Sequence, residues 1–121
     1  MRRFGELEAV VMERLWERGR PALVREVVDD LREHRAVAYT TVMTVMDNLY
    51  HKGFLQREMA GRAWSYTPTA SREVHTARMM RDALDAAGDQ TAALALFVAD
   101  MTESESQALR WLLRRRPGSR S

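Results

Sequence analysis

Apolar residues recur along this chain as a series of helical stripes, interrupted once by a short strand-like alternation. Leu7, Val10, Val11 and Leu15, with Trp16 beside them, share one helical face, and Gly19 closes that segment with Arg18 in its last turn. Pro21 bars continuation. A second helix is expected over roughly Leu23 to His34, with Leu23, Val24, Val27, Val28 and Leu31 inward and Glu26, Asp29, Asp30 and Glu33 outward. In the third, AYTTVMTVMDNLYHKG, residues Val42, Val45, Met46 and Leu49 fall at i, i+3, i+4 and i+7, so they must pack together. Gly53 stands where a left-handed residue ends a helix, and Lys52 suits the negative end of its dipole. Phe54 to Met59 then alternates loosely, Ala60-Gly61 supplies a turn, and Ala63 to Thr67 sets Trp64 and Tyr66 on one face before Pro68 ends the ladder.

Helix, helix, helix and hairpin in that order is the pattern of a winged helix-turn-helix, with the third helix as the one that reads DNA. Its outer face carries Thr40, Thr44, Asp47 and His51, flanked by Met43, Thr41 and Asn48. Three threonines among positions 40 to 44 are poor helix formers for a plain solvated face, where Lys, Glu or Gln is commoner. In a major groove, however, a threonine hydroxyl serves base edges or phosphates and its methyl meets thymine. Arg57 and Arg62 flank the hairpin turn. They would grip phosphates beside that groove or serve as ordinary surface arginines, and the hairpin alone does not separate the two.

The last third is helical as well. Ser71 to Ala87 opens on a serine cap, with Val74, Ala77, Met80 and Leu84 on one stripe, and Gly88 closes it ahead of Asp89, a second cap. From Ala92 to Met101 the only charge is Asp100, so the segment is apolar nearly all round and needs cover on every side. Thr102 to Glu105 forms a capping box opening a final helix with Leu109, Leu112 and Leu113 on its apolar stripe and Trp111 beside them. A chain of 121 residues has little material to cover such surfaces, which makes a second copy the economical partner. The expected interface comprises Met80, Leu84, Leu94, Phe97, Val98, Met101, Leu109, Leu112 and Leu113. The alternative is an ordinary single-domain core.

These segments resemble the penicillinase-repressor (BlaI/MecI) family of winged-helix transcriptional repressors over nearly the whole chain. The resemblance is carried by ELEAVVMERLWERG, YTTVMTVMDNLYHKGFLQRE and the wing GRAWSYTP, with the middle segment the most specific. It implies a mostly α fold with a small β-hairpin wing: a winged-helix DNA-binding domain over 1–69, a helical dimerisation region over 70–116, and a disordered tail over 117–121. It further implies a homodimer that represses transcription from a palindromic double-stranded DNA operator. The family's groove-facing positions fall on Thr40, Thr41, Met43 and Thr44, and Arg62 matches its phosphate-contacting wing residue. With Asn48, Lys52 and Arg57 these make up the expected DNA-binding set. Two departures stand out. Asp47-Asn48 occupies a place where relatives commonly carry a basic residue. An upstream signalling protease cuts an Asn-Phe bond in some relatives, whereas the matching place here is Leu96-Phe97.

Composition narrows the picture further. With no cysteine there is no disulfide, thiolate metal site or thiol redox sensor, and the cysteine cluster of copper-responsive relatives is missing. Nineteen basic against seventeen acidic residues leave only +2, so DNA affinity must come from local clustering. Arg2, Arg3, Arg18, Arg20, Lys52, Arg57 and Arg62 are the candidates for such a patch; Arg114 to Arg116 read as a helix end. No run is long enough to span a membrane and no signal-peptide core is evident, so a cytoplasmic, nucleoid-associated protein is expected. His34, His51 and His75 lack metal-ligand spacing, and neither a phosphate loop nor a nucleophile elbow occurs, so neither a cofactor nor an enzyme is expected. Two other functions fit a winged helix: a ligand sensor, with Met79, Met80 and Met101 lining a cavity, and a protein-interaction module without DNA binding.

Overall fold

The computed structural model describes residues 4–116; Arg2, Arg3 and the 117–121 tail lie outside the described residues. The elements are α1 (Glu6–Arg18), β1 (Ala22–Leu23), α2 (Val24–Arg32), α3 (Tyr39–His51), β2 (Leu55–Ala60), β3 (Ala63–Pro68), α4 (Arg72–Asp85), α5 (Gln90–Ala99) and α6 (Glu103–Arg115). The fold is mostly helical with a small antiparallel sheet. Two compact units divide between Met79 and Met80, inside α4.

In the first unit α1, α2 and α3 close on one core. It is built from Val11, Met12 and Leu15 of α1, Val24, Val27, Val28 and Leu31 of α2, and Val42, Met46 and Leu49 of α3, with Leu55 and Tyr66 from the wing. The apolar stripe of α3 thus lies where the periodicity places it, whereas on α1 Met12, outside the expected stripe, is buried with Val11 and Leu15, and Leu7, Val10 and Trp16 are only partly buried. The second helix differs at its start: Leu23 belongs to β1, which pairs with β3 through Ala22↔Tyr66 and Leu23↔Ser65, and α2 begins one residue later. The wing is therefore the outer part of a three-stranded sheet ordered β1-β3-β2. Two residues of strand have no detectable alternation, and only the partner strand reveals them.

The acidic face of α2 is also different from the expectation. Glu26 and Asp30 do not simply face water: Arg18, with only 10% of its side chain exposed, reaches Glu26 at 3.3 Å and Asp30 at 3.0 Å. Glu26 accepts a hydrogen bond from the Leu23 N–H as well, at 2.8 Å. One arginine at the end of α1 thus fixes α1 against α2. The first turns of α4 belong to this unit. Arg72 meets Glu13 at 2.8 Å, His75 stacks on Phe4 with ring centroids 4.3 Å apart, and the Trp16 indole N–H donates to the Ala70 carbonyl at 2.9 Å.

In the second unit the caps form as their sequence dictates. Asp89 accepts from the Ala92 N–H, and Thr102 and Glu105 satisfy each other's backbone N–H groups. No described residue of α4, α5 or α6 is buried, and among their exposed large apolar residues Leu96 is the most exposed, at 74%.

Candidate nucleic-acid interface

Helix α3 owes its two faces to its sequence period. Val42, Met46 and Leu49 have no exposed surface, so Thr40, Thr41, Met43, Thr44 and Asn48 must turn outward, and all five are exposed. The helix ends where Gly53 takes φ 89, a left-handed value that any side chain would strain. The chain then reverses directly into β2.

The hairpin register places Ala60 opposite Ala63, so the two turn residues are Gly61 and Arg62, one position later than the expected Ala60-Gly61. Gly61 has φ 69 and Arg62 does not share the positive value, the pattern of a two-residue hairpin loop with glycine first. Arg62 is consequently in the tip itself, exposed, rather than on a flanking strand.

Arg57 is placed quite differently. Lying opposite Tyr66 in mid-hairpin, its guanidinium sits 3.9 Å from the Tyr50 ring centroid and 4.3 Å from that of Trp64, and bonds Asp47 at 3.1 Å. Its side chain is 17% exposed. Hydrogen bonding to Tyr66, opposed by desolvation and reinforced by Asp47, raises its pKa. The expectation of a phosphate-gripping Arg57 thus meets a group already enclosed by two rings and a carboxylate. What it does in this geometry is tie the wing to α3 and neutralise Asp47. Asp47 also has the His51 ring Nδ1 at 3.6 Å.

Lys52 is similarly engaged. Its ammonium lies 2.7 Å from Glu8, which also accepts a hydrogen bond from the Gly5 N–H at 2.9 Å. Lys52 first, and then Gly5, hold the Glu8 carboxyl below the usual carboxylate range. This pair clamps the end of α3 to the start of α1. Of Lys52, Arg57 and Arg62, Arg62 stands exposed with no hydrogen-bond or ion-pair partner among the described residues, as does Arg20, while Lys52 and Arg57 hold α3 in place. Sequence reasoning had no signal for these pairings, since Lys52 and Glu8 are 44 positions apart. Among the described residues no cluster of His, Cys, Asp or Glu could hold a metal ion, and no helix is long and apolar enough to cross a membrane.

Known proteins share this arrangement. Residues 4–115 match the family model of the penicillinase repressor. The chain is 41% identical over 111 residues to the transcriptional regulator BlaI of Mycobacterium tuberculosis, covering 89% of this chain and 80% of that protein. A solved DNA-binding domain of the repressor BlaI superposes with a TM-score of 0.53 at 26% identity, covering 58% of this chain and 84% of that one. Bacillus licheniformis BlaI, solved as a monomer in complex with the blaP half-operator, gives a TM-score of 0.50 at 25% identity over 60% of this chain and 87% of that one. With the family match running from the residue before α1's cap to the end of α6, this chain belongs to the penicillinase-repressor family.

Proposed function

We propose that this protein is a DNA-binding transcriptional repressor that occupies a palindromic operator as a homodimer. The observation that carries the reading is the outward arc of α3, where Thr40, Thr41, Thr44 and Asn48 are all exposed beside the Arg62 tip. Short hydroxyl and amide groups can approach base edges closely, and an unpaired cation at the tip supplies the phosphate contact that sets register. Residues 1–69 act on DNA and 70–116 on assembly. Met80, Leu94, Phe97, Val98, Leu112 and Leu113 are exposed apolar residues of α4, α5 and α6, and a partner copy would cover them. Leu84, Met101 and Leu109, half-buried in the single chain, complete that interface. Support for DNA as the ligand also comes from the half-operator complex of the related Bacillus protein.

The protein would act in the cytoplasm, on the nucleoid, by blocking a promoter. An upstream protease is a partner in this reading only if it cuts elsewhere or unwinds α5 first. The Leu96-Phe97 bond lies inside that helix, and proteases cut extended backbone. The test is to select fragments of the source genome on the purified protein at near-physiological salt. Recovery of one shared palindrome supports the reading, and fragments with no common sequence refute it.

A further inference from the structure

A cavity of about 490 Å3 lies where the start of α2, the start of α3 and the hairpin tip meet. Arg25, Tyr39, Met43, Arg62 and Trp64 are among its walls, and no carboxylate lines it. Arg25 and Arg62 are both exposed, and neither has a hydrogen-bond or ion-pair partner among the described residues. Five arginines of this unit contrast with them, since Arg14, Arg18, Arg35, Arg57 and Arg72 each have a carboxylate within 4 Å; Arg20, Arg32 and Arg78 have none among the described residues, but they do not line the cavity. Two unneutralised cations facing one concave space repel each other, and apolar walls strengthen that field. An anion between them converts the repulsion into two charge-assisted contacts.

The occupant must be anionic and compact, and must present an apolar flank to the half-exposed Tyr39 and Trp64 rings. A backbone phosphate with its adjoining deoxyribose has that chemistry. Its location fits too, because the cavity is bounded by the first turn of α3 and by the wing tip, the two elements that approach DNA together. We propose that Arg25 and Arg62 share one backbone phosphate of bound duplex, making Arg25 of α2 a DNA contact outside α3 and the wing. This rests on the DNA-binding reading above and adds a specific site to it.

The experiment titrates salt against binding of a random-sequence duplex by the wild type and by Arg25→Ala, Arg62→Ala and Arg78→Ala. Arg78, an exposed α4 residue, controls for net charge. Arg25→Ala and Arg62→Ala should each weaken binding and lower the salt slope by up to about 0.9, the value of one neutralised phosphate, while Arg78→Ala changes nothing. A scan of single methylphosphonate substitutions through the operator recovered by selection then tests the sharing. One neutralised position should abolish the effects of both arginine variants. Wild-type binding by Arg25→Ala, or suppression of the two variants at different phosphates, overturns the slot alone. Absence of salt-dependent duplex binding by the wild type overturns the DNA reading and the slot with it. Thermal melting of each variant excludes unfolding as the cause; neither arginine holds a partner whose loss would destabilise the fold.

Discussion

Leu112→Asp is expected to dissociate the proposed homodimer. In the single chain Leu112 is 56% exposed, one of a group of apolar residues on α5 and α6 with no cover. Full burial of a leucine is worth about 1.5–3 kcal/mol, so covering the exposed half contributes about 1 kcal/mol. A two-fold interface counts each substitution twice, giving about 2 kcal/mol of lost apolar burial. The introduced carboxylates must also be dehydrated, and burial of a polar group without a partner costs about 1–3 kcal/mol on mutational scales, more for a charge. Two copies bring the sum to at least about 4 kcal/mol, which weakens dimerisation about a thousandfold or more. Sedimentation velocity over a concentration series reads this directly. The variant should run as a monomer where the wild type is a dimer, and palindrome affinity should fall by about 10²–10⁴ with the loss of bivalency, while half-site affinity is kept. Leu112→Met, which preserves volume and apolarity, should remain dimeric. A Leu112→Asp protein that still sediments as a dimer at micromolar concentration would refute the placement of the interface on α6.

Thr44→Ala should lower the preference for operator over random DNA by about 1 kcal/mol without moving the melting temperature, as befits one base contact; equal losses on both duplexes would assign Thr44 to phosphate instead. Arg57→Lys keeps the charge but not the planar group held between Tyr50 and Trp64, so it should weaken operator binding about as much as Arg57→Ala does. A lysine variant with wild-type anisotropy titrations would show that Arg57 acts as a simple phosphate-binding charge. The Glu8 carboxyl, held below its ordinary pKa by Lys52 and Gly5, contributes stability that is present above the unfolded value and lost as pH falls through the folded one. Glu8→Gln should therefore melt below the wild type at neutral pH, with the gap closing once the pH drops below about 4. A gap that persists unchanged into acid would mean that the ionised carboxylate is not what stabilises this corner.

Local physics explains what could be read ahead of the structure. The stripe of α3, the Asp89 and Thr102 caps, and the helix ends at Gly19 and Gly53 all depend on neighbours within about one helical turn, and they form where the residues predict. The exposed threonine arc of α3 follows from the same period, since burial of Val42, Met46 and Leu49 leaves its opposite face no other direction. What escapes such reasoning is set by chain segments meeting after folding. Strand β1 exists only because β3 runs beside it, and the hairpin slips by one residue because cross-strand pairing selects Gly61-Arg62 as the turn. The partners of Arg18, Lys52 and Arg57 are likewise decided by packing: three residues that read alike as surface cations become a tie between α1 and α2, a clamp between α3 and α1, and a brace for the wing. A charged side chain is long enough to reach any of several acceptors, and only the tertiary fold brings one of them within 3 to 4 Å.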